Sequence, residues 1–384
     1  MKFTSRTKKF LLVLLVLVLS LALGASLGIL LAKKCGDSLS ALQAGGYMIG
    51  SILLLSLAFV VQIILHEVGH MIAALLRGWK FIYFMIFSFI FTKQNGKFEV
   101  SRLKIPGALG QCIMSPPKSG DTDGGILFYN AGGLIMNLLI SIIALVVVIA
   151  GFDALSFVAA IFCYSLVITG LFIFLTNGIP SKASGLPNDG MNMLNLHKDP
   201  FSTKIFLESI RVVGQLFKGN RIQEVYKSYI CDGQIIDYAN PIHVMGASFD
   251  LSAAMAKLDF EKAKVILNSA EPYSGQIIAL YRKEMTFEKI YLRLIEPHEQ
   301  HDIAFLLTKE MKDYIEQQAK FRPVAIRVQY ALARLYEKDE EKAEKIYLHF
   351  IQFCDNYYIK GEAKIEKDLV EYVRQFKTEP AITE

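Results

Sequence analysis

Cysteine is scarce and scattered in this chain of 384 residues. Cys35, Cys112, Cys163, Cys231 and Cys354 form no Cys-x-x-Cys pair and no even framework. That spacing argues against a disulfide scaffold and against a thiolate zinc site. A strong excess of one charge is missing too. The net charge of +5 is accounted for by lysines and arginines that flank apolar runs, and no basic patch suited to nucleic acid is present. Apolar residues are abundant. They make up 53% of the chain, with a mean hydropathy of +0.37, above the level of ordinary soluble domains. The length leaves room for a membrane part and one soluble domain.

Four apolar runs are long enough to cross a bilayer. The first extends from Phe10 to about Ala32, behind Lys2, Arg6, Lys8 and Lys9. Small residues around Ala22-Leu23-Gly24 would suit a signal peptide. Its length of about 23 residues spans ~30 Å of hydrocarbon, and we read it as an uncleaved span. The second run, Tyr47 to Leu76, would be about 45 Å long as a helix. The third runs from about Ile126 to Ala150 and the fourth from about Ala154 to Thr176, with Gly151-Phe152-Asp153 joining them as a helical hairpin. The basic amino terminus favours the cytoplasm, as does the segment with Arg77, Lys80, Lys93, Lys97, Arg102, Lys104 and Lys118. Lys33 and Lys34 oppose this orientation and are outnumbered.

Between the second and third spans, Asn95-Gly96 signals a β-hairpin. After it, Phe98 and Val100 alternate with Glu99 and Ser101, as in a half-buried strand. Phe81 to Phe91 is too apolar to alternate and reads as a short membrane-dipping strand or half-helix. From Met191 onward the chain reads as soluble and helical, with no further run long enough to span. Residues 254–263 and 333–343, with a weaker third stretch at Phe287-Glu288-Lys289-Ile290, are similar to tetratricopeptide-type helical hairpins. An unrelated all-α domain is the alternative.

The most informative residues are His66-Glu67-Val68-Gly69-His70, inside the second run. Histidines four apart share one helix face and can bind one metal ion. Glu67 projects beside that face, where it can reach water on the metal. Polar and ionisable groups at membrane depth are costly unless they pair, ligate or line a wet cavity. Ala74 and Gly78 follow at four-residue steps and would let another helix approach closely.

Over residues 47–195, His66-Glu67-x-Gly69-His70 within a span resembles the site-2 protease family of intramembrane zinc metalloproteases. The resemblance does not extend to the tail. It implies one Zn2+ per chain and a third ligand from an Asn-x-x-Pro…Leu-Asp-Gly motif. Asn177-Gly178-Ile179-Pro180 followed by Asn188-Asp189-Gly190 makes that ligand Asp189, with Asn188 in place of leucine and Ser181 to Gly185 as an inserted loop. A helix cap is the competing role for Asp189. The family's Gly-Pro-x-x-Asn is matched by Gly133-Leu134-Ile135-Met136-Asn137, without the proline. Asn137 then either holds the substrate carbonyl or oxyanion or makes a helix–helix hydrogen bond. The implied chemistry is peptide hydrolysis, with zinc lowering the pKa of its water toward about 7 and Glu67 moving the proton. The hairpin would hold unwound substrate as an added strand. No segment between the spans reads as a PDZ-type domain.

The sequence therefore predicts a mainly α protein: a membrane helix bundle of about four spans with a short β-hairpin, then a soluble all-α domain. Its expected domains are an anchor (1–40), a metalloprotease core (41–195) and a cytoplasmic helical domain (196–384). Expected partners are a transmembrane protein or peptide substrate, the lipid bilayer and a cytoplasmic protein at the tail. The alternative function is a non-catalytic membrane scaffold, for which Glu67 would have no use, and few ionisable residues in the spans speak for an ion pathway. His298 and His301 read as a solvated helix start after Pro297, and His197, His243 and His349 as residues without evident partners.

Overall fold

The computed structural model describes residues 28–29, 40–94, 96–103, 105, 108–117, 123–151, 153–182, 186–226, 228–296 and 303–376. The first expected span, apart from residues 28–29, and the His298–His301 pair lie outside them. The fold is mainly α. Three helices among the described residues are long and apolar enough to cross a membrane.

The first of these, α1 (Ala41–Leu76), is about 54 Å long. A reciprocal cap opens it: the Gln43 amide N–H donates to Ser40 Oγ at 3.3 Å, and the Ser40 N–H donates to Gln43 Oε1 at 3.1 Å. It ends where Trp79 N–H bonds to Ala74 O and Gly78 N–H to Leu75 O, with Gly78 at φ +73°. This is a glycine-closed helix terminus. Gly78 is thus a stop signal and not part of a packing stripe; a Cβ there would meet nothing. The close approach is made at Gly69, where a Cβ would collide with Gly132 O and Met136. Helices α2 (Asp123–Gly151) and α3 (Phe157–Gly178) follow the expected hairpin. The second of them starts three residues later than expected, because Ser156 Oγ accepts from the Ala159 N–H.

Contacts divide the chain into two compact units, cut within α1 between Gly69 and His70 and within α2 between Ala131 and Gly132. The first unit holds the apolar spans. Its surface is greasy: Met48, Ile49, Ile52, Leu53 and Leu57 on α1 and Ile142, Ile143, Val146 and Ile149 on α2 are exposed. Its interior carries Gln62, Asn137, Ser141, Ser165 and Thr169. Apolar outside and polar inside is the reverse of a soluble bundle and suits lipid.

The second unit contains an antiparallel sheet, β1 (Lys80–Ile86), β2 (Phe89–Gln94), β3 (Lys97–Arg102) and β4 (Gly110–Ser115), in the order β3-β2-β1-β4. The expected hairpin is therefore half of a four-stranded sheet. Phe81 to Phe91 forms β1, a turn with Phe87 at φ 55°, and part of β2. No half-helix forms there. Its lack of alternation follows from a β-bulge between Phe81 and Tyr83, at which the consecutive residues Ile82 and Tyr83 are both buried, with Tyr83 stacked on Phe217. By contrast β3 lies at an edge, and Phe98 and Val100 are exposed rather than half-buried. Gln94 pairs with Lys97 across the turn, and Leu103 N–H donates to Ser88 O. In that alternation the odd-numbered residues of β3 bond to β2, and the N–H groups of Phe98, Val100 and Arg102 point to the open edge.

The remaining helices are α4 (Asp189–Lys198), α5 (Pro200–Phe217), α6 (Ile222–Val225), α7 (Pro241–Ala256), α8 (Phe260–Ala270), α9 (Ala279–Ile295), α10 (Lys309–Gln318), α11 (Pro323–Ala331), α12 (Glu340–Asn356) and α13 (Lys360–Arg374). Helix α5 lies against the sheet through Gly214, where a Cβ would approach Ile82 to 3.1 Å. The two similar stretches form matching turns. Leu258 and Lys338 take positive φ, and Asp259 and Asp339 then cap α8 and α12 through the Lys262 and Lys342 amides. The third stretch sits inside α9 and is no turn at all. The core carries a buried guanidinium, Arg327, held by Glu366 at 2.6 Å and Glu288 at 2.7 Å over the Tyr291 ring. Burial pushes the Glu366 carboxyl up to about 7 against the pull of Arg327. His243 has partners after all: its Nε2 lies 2.6 Å from Asp199 Oδ2, and its Nδ1 accepts from the Asp237 N–H.

Candidate metal centre

Within the first unit, His66 is buried on α1. Its Nδ1 lies 2.5 Å from Asn137 Oδ1. An amide oxygen can only accept, so this contact places the proton on Nδ1 and leaves the Nε2 lone pair as the atom that could bind a metal. Asn137 is completely buried, and its Nδ2 donates to Gln62 O at 2.9 Å and to Gln62 Oε1 at 2.7 Å. Both amide hydrogens are thereby directed at Gln62. Of the two roles expected for Asn137, this geometry accommodates the helix–helix hydrogen bond and leaves no donor for a substrate oxyanion.

Within the second unit, His70 is backed differently. Its Nδ1 donates to the main-chain carbonyl of Tyr129 at 2.7 Å, which again leaves Nε2 as the atom that could bind a metal. The Tyr129 ring stacks on Trp79 with centroids 5.0 Å apart, and its hydroxyl donates to Cys112 O. His70 Nε2 stands 3.5 Å from Asp189 Oδ2. Two donors at metal-bond length on one tetrahedral zinc stand about 3.3 Å apart.

Asp189 is not the helix cap. That position is taken by Asn188, whose Oδ1 accepts from the Met191 and Ser181 N–H groups at 3.0 and 2.9 Å. Its Nδ2 donates to Ile179 O at 2.6 Å. The residue that replaces the family's leucine thus holds the start of the inserted loop at Ile179 and Ser181 and starts α4. Of the residues 183–185 within that loop, nothing is described.

The continuity of α1 sets His70 one turn beyond His66, and one donor atom from each of His66, His70 and Asp189 lies within 4.8 Å of the other two. Two imidazole nitrogens with their far nitrogens tied to acceptors, plus one carboxylate, form a donor set that fits zinc with a position left over. Glu67 is buried beside them, about 100° further round the helix. Sequence reasoning missed Gln62 and Tyr129. Gln62 had a signal, a polar residue one turn before His66 in an apolar run. Tyr129 contributes a main-chain carbonyl, which no side-chain pattern reveals.

Comparison with known proteins identifies a family. The family described as Peptidase family M50, the site-2 protease family, matches residues 54–356. That match runs well beyond residue 195 into the helical tail, further than the motifs alone reached. No curated protein and no solved structure matched the chain.

Proposed function

Because the chain belongs to Peptidase family M50, we propose that it is an intramembrane zinc metalloprotease that hydrolyses peptide bonds within or near the transmembrane segments of membrane-anchored substrates. The observation that carries this reading is the cluster of His66, His70 and Asp189 donors on and beside a helix long and apolar enough to cross a membrane. Bound there, zinc would supply Lewis acidity, acidifying water and polarising the scissile carbonyl. Glu67 accepts the proton of the attacking water and returns it to the leaving amine. His66 and His70 bind through Nε2, and Asp189 completes the set with one oxygen.

Two further parts of the reading concern what the enzyme meets. The open edge of β3, with outward N–H groups and exposed Phe98 and Val100, suits an extended segment of substrate added as a strand. The helical tail stands in the cytoplasm and binds a partner protein or substrate tail. An impermeant thiol reagent on intact cells tests that side: a cysteine introduced at exposed Glu341 should be shielded until the cells are permeabilised. Cys354 is buried and would not report.

The function itself is tested by quantitative proteomics of membrane peptides from cells with the wild-type chain and with Glu67→Gln. The variant should accumulate at least one uncleaved membrane-anchored protein. Indistinguishable peptide profiles would overturn the assignment.

A further inference from the structure

The polar interior of the first unit holds a connected set of amides that the reaction does not itself require. Gln62 is completely buried in an apolar bundle. Its Nε2 donates to Leu166 O of α3 at 2.9 Å, and its Oε1 accepts from Asn137 Nδ2. Asn137 Oδ1 in turn accepts from His66 Nδ1–H. Donors and acceptors thus alternate without a break from the α3 backbone to the imidazole. The direction is fixed at the far end: a main-chain carbonyl can only accept, so Gln62 must present its NH2 to α3 and its oxygen to Asn137. Asn137 must then present its NH2 to Gln62, whose side-chain and main-chain oxygens each accept one of its hydrogens, and its oxygen to His66. A buried polar chain of this kind has one satisfied arrangement, and each member costs free energy if its partner is removed.

The helix packing is cut to admit this chain. Gly170 lies one turn beyond Leu166 on α3, and a Cβ there would overlap Gln62 Nε2 and Ser141 Oγ. Ser141 Oγ donates to the main-chain oxygen of Asn137 at 2.7 Å, which ties the same turn of α2. Only a glycine at 170 leaves the room in which the Gln62 amide reaches the α3 carbonyl.

We propose that Gln62 is a positioning residue: anchored on α3 through the gap at Gly170, it orients Asn137 and so fixes the tautomer and ring direction of His66 for the metal. The inference rests on the reading of His66 as a metal ligand. A role as helix–helix glue alone would use the Gln62–Leu166 bond and leave His66 indifferent to it. The relay gives His66 a dependence on a side chain it never touches, which holds the second of the two Asn137 amide hydrogens while the main-chain oxygen of Gln62 holds the first.

The experiment uses the full chain in detergent, with zinc as the probe. Gln62→Met keeps the volume and removes both side-chain hydrogen bonds, to Leu166 O and from Asn137 Nδ2, while the main-chain oxygen of residue 62 still accepts one Asn137 N–H. It should weaken zinc binding, measured by chelator competition, by about 10- to 100-fold. Gln62→Glu offers the same acceptor and, as an acid kept neutral by apolar burial, the same donor; it should bind within about threefold of wild type. The metal-free protein with 15N-labelled imidazoles gives the second readout. The His66 signal, assigned by its loss in His66→Ala, should show the proton on Nδ1 in wild type and a mixture of tautomers in Gln62→Met. Unchanged zinc affinity and tautomer in Gln62→Met, or a wild-type His66 protonated on Nε2, would overturn the proposal. Wild-type protein that binds no zinc would instead sink the protease reading, while the metal-free tautomer still decides the role of Gln62.

Discussion

His66 and His70 lie one turn apart on the same helix and do the same work in the proposed site, yet they are held by different means. His66 leans on a side-chain amide, Asn137, which leans on a second, Gln62, which ends on the α3 backbone. His70 leans directly on a main-chain carbonyl, that of Tyr129. The first arrangement is built from replaceable parts inside an apolar bundle. The second survives any substitution that leaves α2 helical. Side-chain changes should therefore be felt unequally at the two ligands, although both rings present Nε2.

The largest effect is expected between the two histidines. Glu67→Gln leaves Asn137 and the Tyr129 carbonyl in place and should lower cleavage of a verified substrate by ~100-fold or more, with zinc content unchanged by metal analysis. Loss of zinc in this variant would move Glu67 into the ligand set and dissolve the comparison.

The next effect separates the two supports. Asn137→Leu should weaken zinc binding by about 10- to 100-fold. Tyr129→Phe keeps the carbonyl under His70 and should leave zinc affinity within a few-fold, at a stability cost of about 1 kcal/mol for the lost bond to Cys112. Equal losses in the two variants would show that the support of His70 is no more robust than that of His66.

Smaller effects are expected outside the ligand shell. Val100→Pro removes an N–H that faces the open edge and spares pairing with β2. It should reduce cleavage by about 2- to 10-fold, the worth of one hydrogen bond, with zinc affinity untouched. Wild-type rates, with no photocrosslink from β3 to substrate, would leave the sheet structural. Gly78→Ala should cost roughly 1–2 kcal/mol of stability through its positive φ, seen as a lower Tm, and leave metal binding unchanged.

The legibility of these parts in the sequence follows the same division. The second, third and fourth spans, the shared helix face of His66 and His70, and the strand pairing on either side of Asn95-Gly96 were readable because each leaves a local pattern in the sequence. Asp189 was readable through its motif, although the chain itself offered a helix cap as a rival role; only the structure shows Asn188 in that role, bonding to Met191, Ser181 and Ile179. Gly78 misled because a glycine four residues past a small one fits both a packing stripe and a helix stop, and only its φ of +73° separates them. The four-stranded sheet was half hidden. Strand β4 pairs with β1 across a long intervening segment, and the bulge in β1 buries Ile82 and Tyr83 together, which breaks that strand's alternation. The tail showed its turns through Asp259 and Asp339, whereas its ionic core at Arg327 joins three helices far apart in the chain.

The central claim is that His66, His70 and Asp189 hold one zinc ion. Metal analysis of the purified full chain, beside the His66→Ala/His70→Ala double variant, tests it most directly. The wild type should carry about one zinc per chain and the double variant essentially none. A double variant that keeps its full zinc content would place the metal elsewhere and contradict the account.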